Sequence, residues 1–321
     1  MAAVRDGEGQ RGGGEELLLR VAWHYYKDEL TQDEIARRLS VSRASIGRML
    51  DRARKEGLVS ITLNVEHLAS FELASRLRER FGLAEALVVP DFEAGPSSQR
   101  AVNARLGQGG AQYLSTHLRA GGSVGVGWGD TVSRVLAAAD LGAVWPLHLV
   151  TLTGGVDGYL QVLTYSRADR ETVTASVIPS PIVASTPTLA AALRAEPTIQ
   201  QVIELARSLK LAVVGVGTAT PDSTLVRMGY LSAADARVLT EKGVAGDILG
   251  QFFDLDGTPL DLPIHERRIG IDLQDLRDIG RVVGVAGGEA KTAAILGALH
   301  GGYLDVLVTD EGTARRLLDL S

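Results

Sequence analysis

The chain has 321 residues, 45% of them hydrophobic and 22% charged, no cysteine and a formal net charge of −6. That length accommodates two domains of ordinary soluble composition, while the missing thiols exclude disulfides and thiolate metal sites and the acidic balance excludes a general nucleic-acid coat. No apolar run approaches the ~18 residues that a membrane span requires, and the polar, glycine-rich start MAAVRDGEGQRGGGEE has no signal-peptide core, so residues 1–14 are expected to be a disordered arm of a cytoplasmic protein.

Charge is distributed unevenly. Residues 1–65 hold 11 Lys/Arg against 10 Asp/Glu, and the remainder holds 22 against 29. Within 42–55, Arg43, Arg48, Arg52, Arg54 and Lys55 are opposed only by Asp51. A basic segment on an acidic protein is what one small phosphate-facing surface requires.

Residues 15–29 carry Leu18, Val21, Ala22, Tyr25 and Tyr26 at helical spacing. Thr31-Gln32-Asp33-Glu34 has the spacing of a capping box and opens a second helix through Ile35, Ala36 and Leu39. After the short turn at Ser40-Val41, Ser42 caps a third helix that ends at Gly57, with Ile46, Met49, Leu50 and Ala53 inward. Residues 58–65 (LVSITLNV) alternate like a strand. Helix, short turn, helix and strand predict a winged helix-turn-helix over 15–65. Its candidate DNA contacts are Thr31 and Gln32 on the second helix, and Ser42, Arg43, Ala44, Ser45, Arg48 and Arg52 on the third. Arginine forks bond guanine edges, and hydroxyls reach a base edge or phosphate. A three-helix bundle with a merely solvated basic face, and a winged helix that docks protein, are the alternatives. Residues 66–84 form a linker helix with Leu73, Leu77 and Phe81 on one side, read either as packing on its own domain or as a dimer contact.

From 85 to 321 short apolar strands alternate with helices, which predicts an α/β domain with a mostly parallel sheet. Strands are expected at 85–89, 123–126, 148–152, 211–216, 282–285 and 305–308, with helices at 99–119, from 131 to 139 and after Thr309-Asp310-Glu311. Three strands end in glycine turns: Gly127-Trp128-Gly129-Asp130-Thr131, Thr153-Gly154-Gly155 and Gly287-Gly288. Ligands of such sheets sit beyond the carboxyl ends of the strands, and a glycine turn entering a helix suits a phosphate or a polyhydroxylated ligand. The alternative for each turn is tight packing. GVGWGD lacks the G-x-G-x-x-G spacing and acidic partner of a dinucleotide site. Lys291, one of five lysines, follows the third turn as a point charge for an anion. Asp247 is placed to bond sugar hydroxyls, and Arg227 is a second anion candidate. Surface lysine and helix-cap aspartate are the bland readings.

The chain resembles the SorC family of sugar-responsive bacterial regulators over residues 15–320. The resemblance is carried by LTQDEIARRLSVSRASIGRMLDRARKEGLVSI, GVGWGDTV, LTGGV, GDILGQFFDLDG and VVGVAGGEAKTAAILGALHGGYLDVLVTDEGTARRLL. It implies an effector domain similar to the phosphosugar isomerase and CoA-transferase fold, a dimer or tetramer, a palindromic operator, and a sugar phosphate or related metabolite that modulates DNA binding. The pocket it implies falls on Gly129, Asp130, Thr131, Gly154, Gly155, Asp247 and Lys291, with Arg227. Asp130 puts a carboxylate in the first glycine turn, and Asp247 stands where the family often has Glu; both fit an unphosphorylated polyol. The expected protein is a regulator with no cofactor, no metal and no catalysis. The rival is an isomerase-like or lactonase-like enzyme with a DNA-binding appendage, using Asp247 as base and Lys291 as anion clamp. Against it, His148 lies within a strand and His265 stands isolated.

Overall fold

The computed structural model describes residues 9–56, 58–59, 65–91, 98–119, 121–139, 146–155, 173–221 and 223–320. The chain divides into two compact units, residues 1–64 and 65–321.

The first unit holds α1 (Gly9–Tyr26), α2 (Gln32–Leu39) and α3 (Arg43–Lys55). Leu18, Val21 and Ala22 of α1, Ile35 and Ala36 of α2, and Ile46, Leu50 and Ala53 of α3 are buried together. Each large aliphatic residue there contributes about 1.5–3 kcal/mol. The capping box forms as its spacing predicts: Glu34 N–H donates to Thr31 Oγ1 (3.3 Å) and Thr31 N–H to Glu34 Oε2 (2.8 Å). Ser40 ends α2 in the left-handed region, φ 54°. Ser42 then caps α3 by accepting Ser45 N–H at 3.2 Å. Two expectations change. Residues 9–14 of the expected arm belong to α1, because each residue added to a helix already nucleated by the packed segment contributes a backbone bond, even where glycine disfavours it; residues 1–8 lie outside the described residues. The expected wing strand falls largely on 60–64, also outside them, and Val65 opens the next helix.

The second unit contains α4 (Val65–Phe81), β1 (Glu85–Val89), α5 (Gln99–His117), β2 (Ser123–Val126), α6 (Asp130–Ala138), β3 (Leu147–Thr151) and β4 (Val173–Ser176). It continues with α7 (Pro187–Ala195), α8 (Pro197–Arg207), β5 (Ala212–Val214), α9 (Thr224–Arg227), α10 (Ala233–Glu241), β6 (Gly246–Ile248) and β7 (Gln251–Phe253). It ends with α11 (Pro263–Arg267), α12 (Leu273–Arg277), β8 (Val282–Val285), a 3-10 turn (Glu289–Lys291), α13 (Thr292–His300), β9 (Val306–Asp310) and α14 (Glu311–Leu320). Seven strands form one sheet in the order β1-β9-β8-β5-β2-β3-β4, with every pairing parallel.

Alternation along the strands builds two cores. Val124, Val126, Val213, Val283, Val285, Val306 and Val308 face α5 and α6. Val150, Ala212, Val214, Val282 and Leu307 face the layer of α4, α8, α13 and α14. The linker helix is therefore part of this unit: Leu73 and Leu77 are buried in its core, and Ser70 Oγ donates to the buried Glu311 at 2.6 Å. The chain runs outward from β2 to β3 and β4, then returns through β5 to β8 and β9 on β2's other side. The winding thus reverses between β2 and β5, and a crevice opens beyond their carboxyl ends.

Candidate functional site

A cavity of about 410 Å³ occupies that crevice. Its first wall is the turn from β2 into α6, where Gly129 (φ 121°) lets the chain enter the helix directly after the strand. Trp128 stands there edge-on to Tyr230, ring centroids 6.2 Å apart. Asp130 is next, its carboxylate Oδ2 accepting from Asn103 Nδ2 (2.8 Å) and Arg134 Nε (3.0 Å). Burial alone raises its pKa, but those two donors and the nearby Arg227 outweigh it, and the carboxyl stays below the ordinary aspartate range.

The second wall follows β5. Residues 215–220 run along the cavity, with the Thr218 and Thr220 hydroxyls 2.8 Å apart. Gly217 bridges to Asp247 on β6 through backbone bonds of 2.9 and 3.1 Å. A Cβ on Gly217 would stand 2.1 Å from Asp247 Oδ1, so glycine here is what admits the carboxylate. Asp247 is 4% exposed, and Gly250 N–H donates to its Oδ2 at 3.0 Å. Burial pushes its pKa up to about 6, against the opposing pull of that N–H and of Lys291. Leu249, with φ 56°, closes the tight β6–β7 turn and lines the cavity.

The third wall is the 3-10 turn after β8, which carries the half-buried Lys291. Burial pushes its ammonium pKa down, while Asp247 and Asp130 hold it up. The exposed Arg227 closes one side, its Nη2 donating to Thr224 Oγ1 at 3.0 Å. The cavity thus presents two carboxylates, several cations, threonine hydroxyls and an aromatic edge. Such a set bonds hydroxyls and an anionic group while packing on a ligand's C–H surface.

Of the expected effector contacts, Gly129, Asp130, Thr131, Arg227, Asp247 and Lys291 come together on this cavity. Gly127, Gly154, Gly155, Gly287 and Gly288 do not line it, and each has a packing reason. A Cβ on Gly127 would press on Leu249 and Val213 O (3.2 and 3.3 Å), on Gly154 on Pro181 O (2.4 Å), and on Gly155 on Ile182 (2.5 Å). On Gly287 it would meet Asp310 Oδ2 (2.1 Å), and on Gly288 Gln99 Oε1 (2.2 Å). Sequence reasoning missed Gln99, Arg100 and Asn103 at the start of α5, and also Trp128 and Arg134.

The two histidines weighed for catalysis lie elsewhere. His265 accepts Phe252 N–H at Nε2 (2.9 Å) and stacks on the Phe252 ring. Burial, with Arg268 adding to it, pushes its pKa down to about 4, so the ring stays neutral. His148 bonds the hydroxyls of Thr174 and Ser176 across β3 and β4 (2.7 and 2.9 Å). Among the described residues no cluster of His, Asp and Glu is arranged to hold a metal ion.

In the first unit the candidate DNA contacts lie on one stretch of surface chain. Arg43, Ala44, Arg48 and Arg52 are exposed, while Gln32 and Ser45 are half-buried. Arg43 pairs with Asp33 at 3.4 Å and Arg52 with Glu56 at 2.7 Å. Arg48 Nη2 donates to Ser45 Oγ at 3.3 Å. Such exposed pairs contribute ~0–1 kcal/mol and exchange readily for phosphate. The hydroxyls of Thr31 and Ser42 serve the helix caps.

Residues 65–319 match the Sugar-bind family model, a sugar-binding domain. The chain is 38% identical over 311 residues to the transcriptional regulator LsrR of Klebsiella pneumoniae subsp. pneumoniae, covering 96% of this chain and 94% of that protein. It is 34% identical to LsrR of Escherichia coli K12, over 95% of each chain. Among solved structures it is similar to the full-length sorbitol operon regulator SorC from Klebsiella pneumoniae (28% identity, TM-score 0.67, covering 95% of this chain and 99% of that one). It is also similar to a DeoR family transcriptional regulator from Listeria monocytogenes (27% identity, TM-score 0.71, covering 78% and 99%).

Proposed function

This chain belongs to the SorC family of sugar-binding-domain transcriptional regulators, and from that premise we propose that it binds operator DNA through α3 and changes that binding when a sugar phosphate or polyol fills the cavity. One observation carries the reading. The buried Asp247 and the half-buried Lys291 meet in one cavity at the winding reversal, within the segment matched by a sugar-binding family.

The first unit acts as a winged helix-turn-helix. Arg43, Ala44, Ser45 and Arg48 read base edges, while Arg52, Thr31, Gln32 and Ser42 reach the phosphate backbone. A homo-oligomer, dimer or tetramer, sets two recognition helices on a palindromic operator. In the cavity, Asp247 and Asp130 accept ligand hydroxyls and Lys291 receives an anionic group, with Arg227 assisting. The domain shares its plan with phosphosugar isomerases and CoA-transferases without using their chemistry, and it needs no cofactor. No helix of the described residues is long and apolar enough to cross a membrane, and we place the protein in the cytoplasm. Ligand and operator are coupled through two states of the oligomer that differ in ligand affinity, typically by ~1–3 kcal/mol.

The test is fluorescence anisotropy on a duplex from upstream of the protein's own gene, at two salt concentrations, with and without a panel of sugars and sugar phosphates. Salt-sensitive binding that a panel member shifts is the expected result. Lys291→Ala should lose that shift. Full response in Lys291→Ala would remove the lysine from the sensor, and absence of DNA binding on selected random duplexes would remove the regulator reading.

A further inference from the structure

The carboxylate of Asp130 is held by a chain of amides that begins on α5. Gln99 Nε2 donates both to Gly287 O (2.9 Å) and to Asn103 Oδ1 (2.8 Å). Asn103 Nδ2 donates to Asp130 Oδ2 (2.8 Å), and Arg134 Nε reaches the same oxygen at 3.0 Å. The order of the chain follows from chemistry. An ionised carboxylate only accepts, so Asn103 must turn its Nδ2 toward Asp130 and its Oδ1 toward Gln99. Gln99 must then present its Nε2, which leaves a second donor for the carbonyl of Gly287. Asn103 is 8% exposed, so its amide is committed on both sides inside the protein.

The backbone is shaped to allow this. A Cβ on Gly107 would lie 2.6 Å from Arg134 Cβ, so α5 and α6 approach closely there. One turn earlier on each helix stand Asn103 and Asp130. A Cβ on Gly288 would collide with Gln99 Oε1 at 2.2 Å, so that glycine makes room for the first amide. Both donors reach Asp130 at the same oxygen, Oδ2, and the residue lines the cavity. A neutral amide orients a carboxylate without cancelling its charge.

We propose that Asn103, oriented by Gln99, is the positioning residue that fixes Asp130 as a hydroxyl acceptor and so bars an anionic group of the ligand from the β2–α6 turn. The inference deepens the reading of this cavity as the sensor's ligand site. It divides the cavity by chemistry: a hydroxyl-bearing part of the ligand meets Asp130, and any anionic part is left to Lys291. The charged groups around Asp130 are Arg134 on its own helix, Arg227 on α9 and Lys291 on the 3-10 turn.

The positioning is read without any sugar. In the full chain carrying carbon-13-labelled aspartate, the Asp130 carboxyl signal is assigned by its absence in Asp130→Asn and titrated by NMR. Wild type should titrate below the ordinary aspartate range. Asn103→Leu should move the midpoint upward by ~0.5–1 pH unit, and an unmoved midpoint overturns the relay. Should Asn103→Leu fail to fold, Gln99→Met at the exposed helix start carries the test, with a smaller shift in the same direction expected and no shift overturning it. The barrier is read with inorganic phosphate near neutral pH, where Asp130→Asn should bind it ~10-fold more tightly than wild type. Equal or weaker phosphate binding in Asp130→Asn, including none in either protein, overturns the barrier. Operator binding and its response to sugars are measured separately, so their failure would sink the regulator reading while these two results stand or fall alone.

Discussion

The two units handle charge in opposite ways. On α3 the arginines are exposed and rest in weak surface pairs, Arg43 with Asp33 and Arg52 with Glu56. In the cavity Asp247 is buried and Lys291 half-buried, and their proton affinities are displaced, Asp247 upward and Lys291 downward. Surface charge of the first kind is screened by salt and indifferent to pH near neutrality. Buried charge of the second kind is little screened and answers to protons. Under the proposed function, the nucleic acid is first met by exchangeable surface charge and the ligand by charge fixed inside the protein.

The largest expected effect tests the first half of that contrast. Replacing Arg43 and Arg48 together by alanine should reduce operator affinity at least ~30-fold, since each specific arginine contact is worth about 1–3 kcal/mol. It should also flatten the salt dependence, while thermal stability moves by less than ~0.5 kcal/mol per site because both residues are exposed. Loss of stability in place of affinity would make the basic face structural.

The next effect tests the second half. Asp247 has its folded pKa raised from 3.8 to about 6. Its contribution to stability is therefore complete below the unfolded value and is lost as pH rises through that window, by on the order of 3 kcal/mol. His265 runs the other way, its folded pKa lowered from 6.5 to about 4. Its contribution is present above 6.5 and is lost as pH falls toward 4. The two oppose each other across the same range. Denaturant unfolding at stepped pH should show Asp247→Asn gaining a slope that rises with pH, and His265→Gln a slope that falls. Slopes of the same sign in both variants would break the assignment.

Gly217→Ala is a milder disturbance. The added methyl lies where Asp247 Oδ1 now sits, so the second unit should lose ~1–3 kcal/mol of stability. The protein's response to sugars should weaken with it, read by thermal unfolding beside operator anisotropy. Smallest is Thr31→Ala, which removes the capping box of α2 and should cost about 1 kcal/mol, visible in the melting of the first unit.

Legibility in the sequence followed the range of the interactions. Strands β1, β2 and β8 stand on the predicted residues because their apolar runs, and for β2 and β8 their glycine ends, are local signals. The segment holding β4, α7 and α8 passed unread. Its β4 strand is short and partly exposed, and its two helices meet at Pro197 with no glycine-marked strand between them. The β6–β7 turn was hidden by Leu249, which takes a left-handed conformation that its residue type gives no reason to expect. In the cavity, Asp130, Asp247 and Lys291 were readable because a charged side chain beside a glycine turn is unusual. Gln99 was not, because its partner Gly287 lies 188 residues away and an amide in a helix's first turn looks like ordinary solvation. The glycine turns carry two readings at once: close packing, which the surroundings of Gly154, Gly155, Gly287 and Gly288 show, has the same sequence signature as approach to a ligand.

The strand order has a consequence for how the protein is made. β1 pairs with β9, Glu85 facing Val306 and Val89 facing Asp310. On the ribosome the first strand of the sheet must therefore wait, unpaired, until nearly the whole chain has been synthesised, whereas the three N-terminal helices can pack at once. A message that ends before β9 therefore leaves the packed helices of the first unit complete and the sheet of the second without the partner of its first strand.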